Sequence, residues 1–185
     1  MRLRFALPFC LAITLSACAG PTPREPSGSF PPCRPNGLLS VGESLPDCSF
    51  PGVAGAPPVH LAELEGTPVV LNFWASWCGN CVREMPAFNR VASAFGDRLV
   101  MVGMNTLGVE GETEAGAEKF AGSTGVTYPL AYDRDGLLYA HFGTRNIMPL
   151  TVFVDASGSI RERHFGELTE DNLYDLIEKH LGLTV

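Results

Sequence analysis

The chain has 185 residues, of which 45% are hydrophobic and 18% are charged, and its formal net charge is −7. This length favours one domain, and the apolar fraction is large enough to bury a core, which excludes a disordered chain. The acidic balance without a basic tract argues against a nucleic-acid-binding protein. No run reaches the roughly 18 apolar residues of a membrane span, which excludes a polytopic membrane protein.

Residues 1–17 have the layout of an export signal. Two arginines precede a short apolar run over residues 5–15, an order typical of a secretory signal peptide. The run ends in Leu15-Ser16-Ala17-Cys18, which resembles the lipobox of bacterial lipoproteins. By that resemblance, Cys18 becomes the first mature residue and carries a lipid with two acyl chains, enough for stable anchoring. The alternative is ordinary signal cleavage after the small residues Ala17-Cys18-Ala19.

Residues 18–37 form a proline-rich segment with few apolar side chains. Such a composition favours an extended tether, of roughly 3.1 Å per residue where it adopts polyproline II. The segment would hold a folded domain, residues 38–185, away from a membrane surface.

From about Leu38 onward, short apolar runs of strand length alternate with runs of helical periodicity. The predicted strands cover residues 59–61, 68–74, 98–104, 128–130, 150–154 and 159–165. The predicted helices cover residues 82–95, 112–123 and 136–142, with a last helix capped by Thr169. Strands that alternate with helices and then end in a hairpin and a helix predict an α/β domain. Its mixed central sheet would be covered by helices on both faces.

Two cysteines stand where the most strongly apolar predicted strand, residues 68–74, gives way to a helix. Cys78 lies at or near the start of this helix, and Cys81 lies one turn further along. Free backbone N–H groups and the positive end of the helix dipole favour a thiolate there, so we expect the pKa of the Cys78 thiol to lie below about 8.5. This spacing allows a thiolate to attack a foreign disulfide and the second thiol to release the resulting mixed disulfide.

A Cys-x-x-Cys pattern also occurs in three other kinds of site. A zinc site would require a second cysteine or histidine pair at ligand spacing, and the sequence has none. A haem attachment site would have His directly after Cys81, where this chain has Val82. An inert structural disulfide is the remaining alternative, although an accessible helix end is an unusual place for one.

The segment over residues 69–86, with Trp77-Cys78-Gly79-Asn80-Cys81 at its centre, resembles the active-site segment of the thioredoxin superfamily. More narrowly, it is similar to the extracytoplasmic TlpA/ResA-like branch, and the resemblance extends from about Val41 to the C-terminus. It implies a thioredoxin fold with an N-terminal strand extension, and it implies thiol–disulfide oxidoreductase activity.

The resemblance assigns roles to three residues of the predicted helix. Cys78 matches the attacking cysteine, Cys81 the resolving cysteine, and Glu84 an acidic residue that influences proton transfer by the thiols. Elementary physics agrees with the last assignment. Glu84 shares a helix face with Cys81, and a partly buried carboxylate beside two sulfurs would couple to their titration. The alternative is a surface glutamate paired with Arg83 or Arg90.

The resemblance also indicates where substrates would bind. Trp77 is expected to shield and position the sulfurs, and Met148-Pro149 matches the cis-proline of the family. The Met148 backbone would then lie beside Cys78 and could pair with an extended substrate peptide. The branch often has threonine before this proline, so Met148 is a departure, as is Asn72 where cytoplasmic thioredoxins have a buried aspartate.

The other cysteines outside the signal are Cys33 and Cys48, since Cys10 leaves with the signal and Cys18 carries lipid. Four cysteines allow three pairings, and keeping the active pair intact leaves a Cys33–Cys48 disulfide. Export permits such a bond, and the alternative is two unpaired thiols. The acidic stretch over residues 110–114 is predicted to be a solvated loop and helix start.

Together these features predict a lipid-anchored thiol–disulfide oxidoreductase on the outer face of a bacterial cell membrane. It would exchange disulfides with exported cysteine-containing proteins and electrons with a membrane or extracytoplasmic redox partner protein, with no metal, other cofactor or nucleic acid. The family implies both reductases, including those that prepare apocytochrome c thiols, and disulfide-forming oxidases. The alternatives are a thiol peroxidase, which needs a Thr-x-x-Cys setting where this chain has Ala75, and a non-catalytic anchored binding module.

Overall fold

A computed structural model describes residues 33–143 and 147–185. The predicted signal peptide, the lipid-bearing Cys18 and most of the proline-rich segment lie outside these residues. Within the described ranges, no helix is both long enough and apolar enough to cross a bilayer.

The described chain forms a five-stranded mixed sheet, a separate two-stranded ribbon and four α-helices. The strands are β1 (Ser49–Phe50), β2 (Val59–His60), β3 (Val69–Trp74), β4 (Val100–Asn105), β5 (Leu130–Tyr132), β6 (Leu150–Val154) and β7 (Ile160–Phe165). The helices are α1 (Gly79–Phe95), α2 (Glu114–Thr124), α3 (Leu137–His141) and α4 (Glu170–Leu181). The main sheet has the order β5-β4-β3-β6-β7, with β3, β4 and β5 parallel and the other neighbours antiparallel. This architecture confirms the predicted fold class.

Strand β3 lies at the centre of the sheet, and all six of its residues are buried. Val70 and Trp74 face a core formed with α1, α4 and part of α2, whereas Leu71 and Phe73 face a second core on the opposite side. Burial on both faces explains why this strand reads as a nearly continuous apolar run rather than an alternating one.

The second core is covered by α3 and by the segment that precedes the sheet. Cys33 and Leu39 belong to it, and a disulfide joins Cys33 to Cys48. The Leu39 N–H donates to the His141 carbonyl oxygen at 2.6 Å, so this segment is bonded to the end of α3. Cys33 is therefore packed into the body, although it lies in the segment that the sequence presents as a tether.

Capping residues set the starts of α2 and α4, and the start of α2 differs by two residues from its predicted position. Thr169 caps α4, with its Oγ1 accepting from the Asn172 N–H at 3.3 Å, as the sequence predicts. Helix α2 begins at Glu114 rather than at residue 112, because Thr113 is its cap and accepts from the Gly116 N–H at 3.0 Å.

Candidate active site

The Cys78–Cys81 pair is a disulfide at the N-terminus of α1. Strand β3 ends at Trp74, three residues form a turn, and Cys78 is the N-cap of the helix. The Cys78 Sγ accepts a hydrogen bond from the Cys81 N–H at 3.2 Å. Cys78 is 6% exposed and Cys81 is fully buried. An incoming thiol can therefore reach the sulfur of Cys78 more readily than that of Cys81.

The turn that precedes Cys78 is held by a buried carboxylate, that of Glu112. Its Oε2 accepts from the Ser76 N–H at 2.7 Å and from the Ser76 hydroxyl at 3.0 Å. A Cβ atom added at Gly116 would lie 2.9 Å from the Ser76 Oγ, so glycine permits the close approach of α2 to this turn.

The prediction that residues 110–114 form a solvated stretch is wrong for Glu112, which is buried. Helix α2 packs its first turn against the loop before the disulfide, and this packing removes the carboxylate from water. The small residues Ala115-Gly116-Ala117 after the Thr113 cap are the sequence signal that could have indicated such a close contact.

Glu84 lies inside the protein rather than on its surface, with 2% of its area exposed. Its Oε1 accepts from the Asn72 side-chain amide at 2.7 Å, and its Oε2 accepts from the Leu168 N–H at 3.0 Å. Burial raises the pKa of Glu84 to about 7, although these two hydrogen bonds act in the opposite direction. A carboxyl group with this pKa can both take up and release a proton near neutral pH.

Further polar groups are buried near Glu84 on the face of the sheet beneath α1. The Asn72 amide is also 3.5 Å from the Thr151 hydroxyl on the neighbouring strand, and the Asn72 Oδ1 has no hydrogen-bond partner. Burial, with a smaller contribution from the charge of Glu84, raises the pKa of Tyr128. The Tyr128 hydroxyl is therefore an uncharged neighbour of this carboxyl group.

The peptide bond between Met148 and Pro149 is cis and directly precedes β6. In the antiparallel pairing of β3 with β6, Phe73 is opposite Leu150, so Pro149 lies beside the end of β3 where the turn to Cys78 starts. The Tyr139 hydroxyl donates to the Ile147 carbonyl oxygen at 2.8 Å, which anchors the segment before the proline.

Exposed apolar side chains lie next to the disulfide. Trp77, directly before Cys78, and Val82, one turn after it, are both exposed, as is Ile147 beside Met148-Pro149. The structure thus brings Trp77, Cys78, Cys81 and Glu84 to one end of α1 and the cis-proline to the adjoining strand end. The Cys33–Cys48 disulfide is set apart from them in the second core.

Comparison with known proteins identifies relatives that match most of this chain. A family model described as the AhpC/TSA family matches residues 41–163. The thiol-disulfide oxidoreductase ResA of Geobacillus kaustophilus is 33% identical over 147 residues, 77% of each chain. The thioredoxin-like protein YneN of Bacillus subtilis is 31% identical over 137 residues, 73% of this chain and 77% of YneN.

A solved structure with a similar fold is that of the pneumococcal exposed lipoprotein thioredoxin Etrx1 from Streptococcus pneumoniae. It superimposes with a TM-score of 0.63 at 28% identity, covering 72% of this chain and 99% of Etrx1.

Proposed function

Because the chain belongs to the AhpC/TSA family and is a thiol–disulfide oxidoreductase of the ResA type, we propose that Cys78 and Cys81 are its redox pair. Its substrates are exported proteins with cysteines, and apocytochrome c is the first class to test. The observation that carries this proposal is the position of the disulfide at the N-terminus of α1, with Cys78 nearer to solvent than Cys81.

The reaction in the reducing direction starts from the two thiols. The Cys78 thiolate attacks one sulfur of a substrate disulfide, the substrate S–S bond breaks, and one substrate sulfur leaves as a thiolate. The Cys81 thiolate then attacks the Cys78 sulfur of the mixed disulfide, which releases the second substrate sulfur. The substrate gains two electrons, and the enzyme ends as the Cys78–Cys81 disulfide.

Glu84 is the proton acceptor for the second step. It is three residues after Cys81 on the same helix, and its pKa of about 7 leaves part of the population ionised at neutral pH. An ionised Glu84 accepts the Cys81 proton as the thiol becomes the attacking thiolate. The cysteines and Glu84 therefore titrate as a coupled group.

The direction that we propose is reduction of substrates. A carboxylate next to the two sulfurs disfavours their thiolates. This destabilises the reduced pair relative to the disulfide and so lowers the reduction potential, the opposite of the effect in strong oxidants. Trp77, Met148 and Pro149 form the surface against which an extended substrate segment lies.

We place the protein outside the cytoplasmic membrane, anchored by a lipid on Cys18. The export signal and lipobox support this placement, as does the Cys33–Cys48 disulfide, because such bonds persist in oxidising compartments. Etrx1, which is similar in fold, is by its name an exposed lipoprotein. A Cys18→Ala variant should leave the membrane fraction, and continued tight association would contradict the anchor.

A trapping experiment tests the redox roles. Cys81→Ser should accumulate mixed disulfides with exported proteins, visible on non-reducing gels, because the releasing thiol is absent. Cys78→Ser should trap none, and the Cys33→Ser/Cys48→Ser variant should turn over as the natural chain does. Equal trapping by Cys78→Ser and Cys81→Ser would contradict the assignment.

The midpoint potential tests the direction. Equilibration with glutathione redox buffers should place the Cys78–Cys81 pair below about −230 mV, within the range of reductants such as thioredoxin. A value near about −120 mV, where strong oxidants lie, would instead establish a disulfide-forming oxidase.

A further inference from the structure

Two ion pairs with similar shortest distances and similar exposure connect α1 to Glu167 and to Glu170, the first residue of α4. In the first, Arg83 Nη2 lies 2.6 Å from Glu167 Oε2, with the side chains 59% and 35% exposed. In the second, Arg90 Nε lies 2.7 Å from Glu170 Oε2, with the side chains 60% and 34% exposed. The pairs differ in what surrounds them.

The first pair adjoins the buried carboxyl group of Glu84 on both chain segments. Arg83 precedes Glu84 on α1, and Glu167 precedes Leu168, whose N–H donates to Glu84 at 3.0 Å. Both Nε and Nη2 of Arg83 contact the Glu167 carboxylate, a fork-like contact that fixes the two groups relative to each other. Arg83 Nη2 also contacts the Asn80 side-chain oxygen, between the two cysteines.

The charge of this pair that acts on Glu84 is that of Glu167. The negative charge of Glu167 raises the pKa of Glu84, and the hydrogen bond to Glu167 in turn raises the pKa of Arg83. The Arg83 guanidinium lies 2.6 Å from the Glu167 carboxylate, so its positive charge offsets part of that negative charge. Tyr128, whose pKa Glu84 raises, is uncharged, and the two active-site cysteines titrate only when reduced.

We infer that Arg83 and Glu167 are a charge-compensated pair of positioning residues that controls how readily Glu84 exchanges a proton. This inference rests on the proposed role of Glu84 as proton acceptor for Cys81. Neither residue takes part in sulfur chemistry. Their effect on the reaction passes through the charge next to Glu84 and through the loop that presents the Leu168 amide.

The test is a direct titration of Glu84 in the oxidised full-length protein by carboxyl ¹³C NMR. This measurement does not depend on turnover. Arg83→Gln leaves the Glu167 charge uncompensated and should raise the midpoint of Glu84 by about half a pH unit, the size that a partly exposed charge produces. Glu167→Gln should lower the midpoint by a similar amount. Arg83→Lys, which keeps the charge, should leave it near the natural value.

The second ion pair supplies the matched control. Arg90→Gln and Glu170→Gln remove an ion pair of similar distance and exposure between α1 and α4 and should not move the Glu84 midpoint. Shifts of the same sign for Arg83→Gln and Glu167→Gln, no shift for either, or equal shifts from the control pair would overturn the inference.

A second readout separates this inference from the proposed function. In the reduced protein, the pH profile of thiol alkylation should move in Arg83→Gln and Glu167→Gln and should stay in place in the Arg90 and Glu170 variants, because the thiols and Glu84 titrate as a coupled group. If Glu84→Gln leaves that profile unchanged, the role of Glu84 in the proposed function fails. The NMR midpoints in the ion-pair variants still decide whether the pair controls the Glu84 proton.

Discussion

The buried carboxyl group of Glu84 makes the stability of the protein depend on pH in a direction that can be worked out. Its pKa is raised on folding from the ordinary value of 4.5 to about 7. As the pH rises, the unfolded chain therefore loses this proton before the folded chain does. The free energy of unfolding should fall between about pH 4.5 and pH 7, with no contribution below that window and a constant deficit above it.

The size of this deficit follows from the pKa difference. At about 1.4 kcal/mol per pH unit, the change from 4.5 to about 7 corresponds to about 3 kcal/mol. Glu84→Gln removes the charge and keeps the shape. The glutamine oxygen can accept from the Leu168 N–H, and its amide can donate to the Asn72 Oδ1, which lacks a partner. The variant should match the natural protein at pH 4 and exceed its stability by about 3 kcal/mol at pH 8.

Denaturant unfolding of both oxidised proteins at several pH values between 4 and 8 measures this difference. Glu170→Gln, which alters a partly exposed carboxylate on α4, should show no comparable pH-dependent gain. A stability difference between Glu84→Gln and the natural protein that stays constant across the range would refute the reasoning, because it would mean that folding does not change the affinity of Glu84 for its proton.

Further substitutions have predictable effects on stability or on local opening of the fold. Replacing both Cys33 and Cys48 with serine should lower the free energy of unfolding by about 3 kcal/mol, because the bond closes a loop with a sequence separation of 15. An unchanged denaturation midpoint under non-reducing conditions would contradict this. Gly116→Ala should lower the free energy of unfolding by about 1–3 kcal/mol, because the new Cβ would lie 2.9 Å from the Ser76 Oγ. Gly122→Ala in the same helix, where a Cβ meets nothing within 4 Å, should raise this free energy by up to about 1 kcal/mol. Changes of the same sign at these two glycines would count against the close packing of α2. Asp133→Asn should speed up hydrogen exchange at an amide at the start of α3, since both carboxylate oxygens accept N–H groups there and an amide nitrogen cannot. Unaltered protection of those amides would exclude this role.

The features that were predictable from the sequence are local ones. A buried strand is apolar along its whole length, a cap residue stands directly before its helix, and Cys78 and Cys81 are held within one helical turn. Each depends on residues close together in the chain, so periodicity and spacing are sufficient to identify them. For the same reason, the order of strands and helices, and with it the fold class, could be read in advance.

The environment of each carboxyl group near the disulfide was decided by tertiary structure alone. Glu84 receives its hydrogen bonds from residues 12 and 84 positions away, and Glu112 holds a turn 36 positions away. Arg83 and Arg90 look alike in the sequence, yet only Arg83 pairs with Glu167, which directly precedes the Leu168 amide that binds Glu84. A side chain's pKa depends on the water removed and the charges gathered around it, and packing between distant segments sets both.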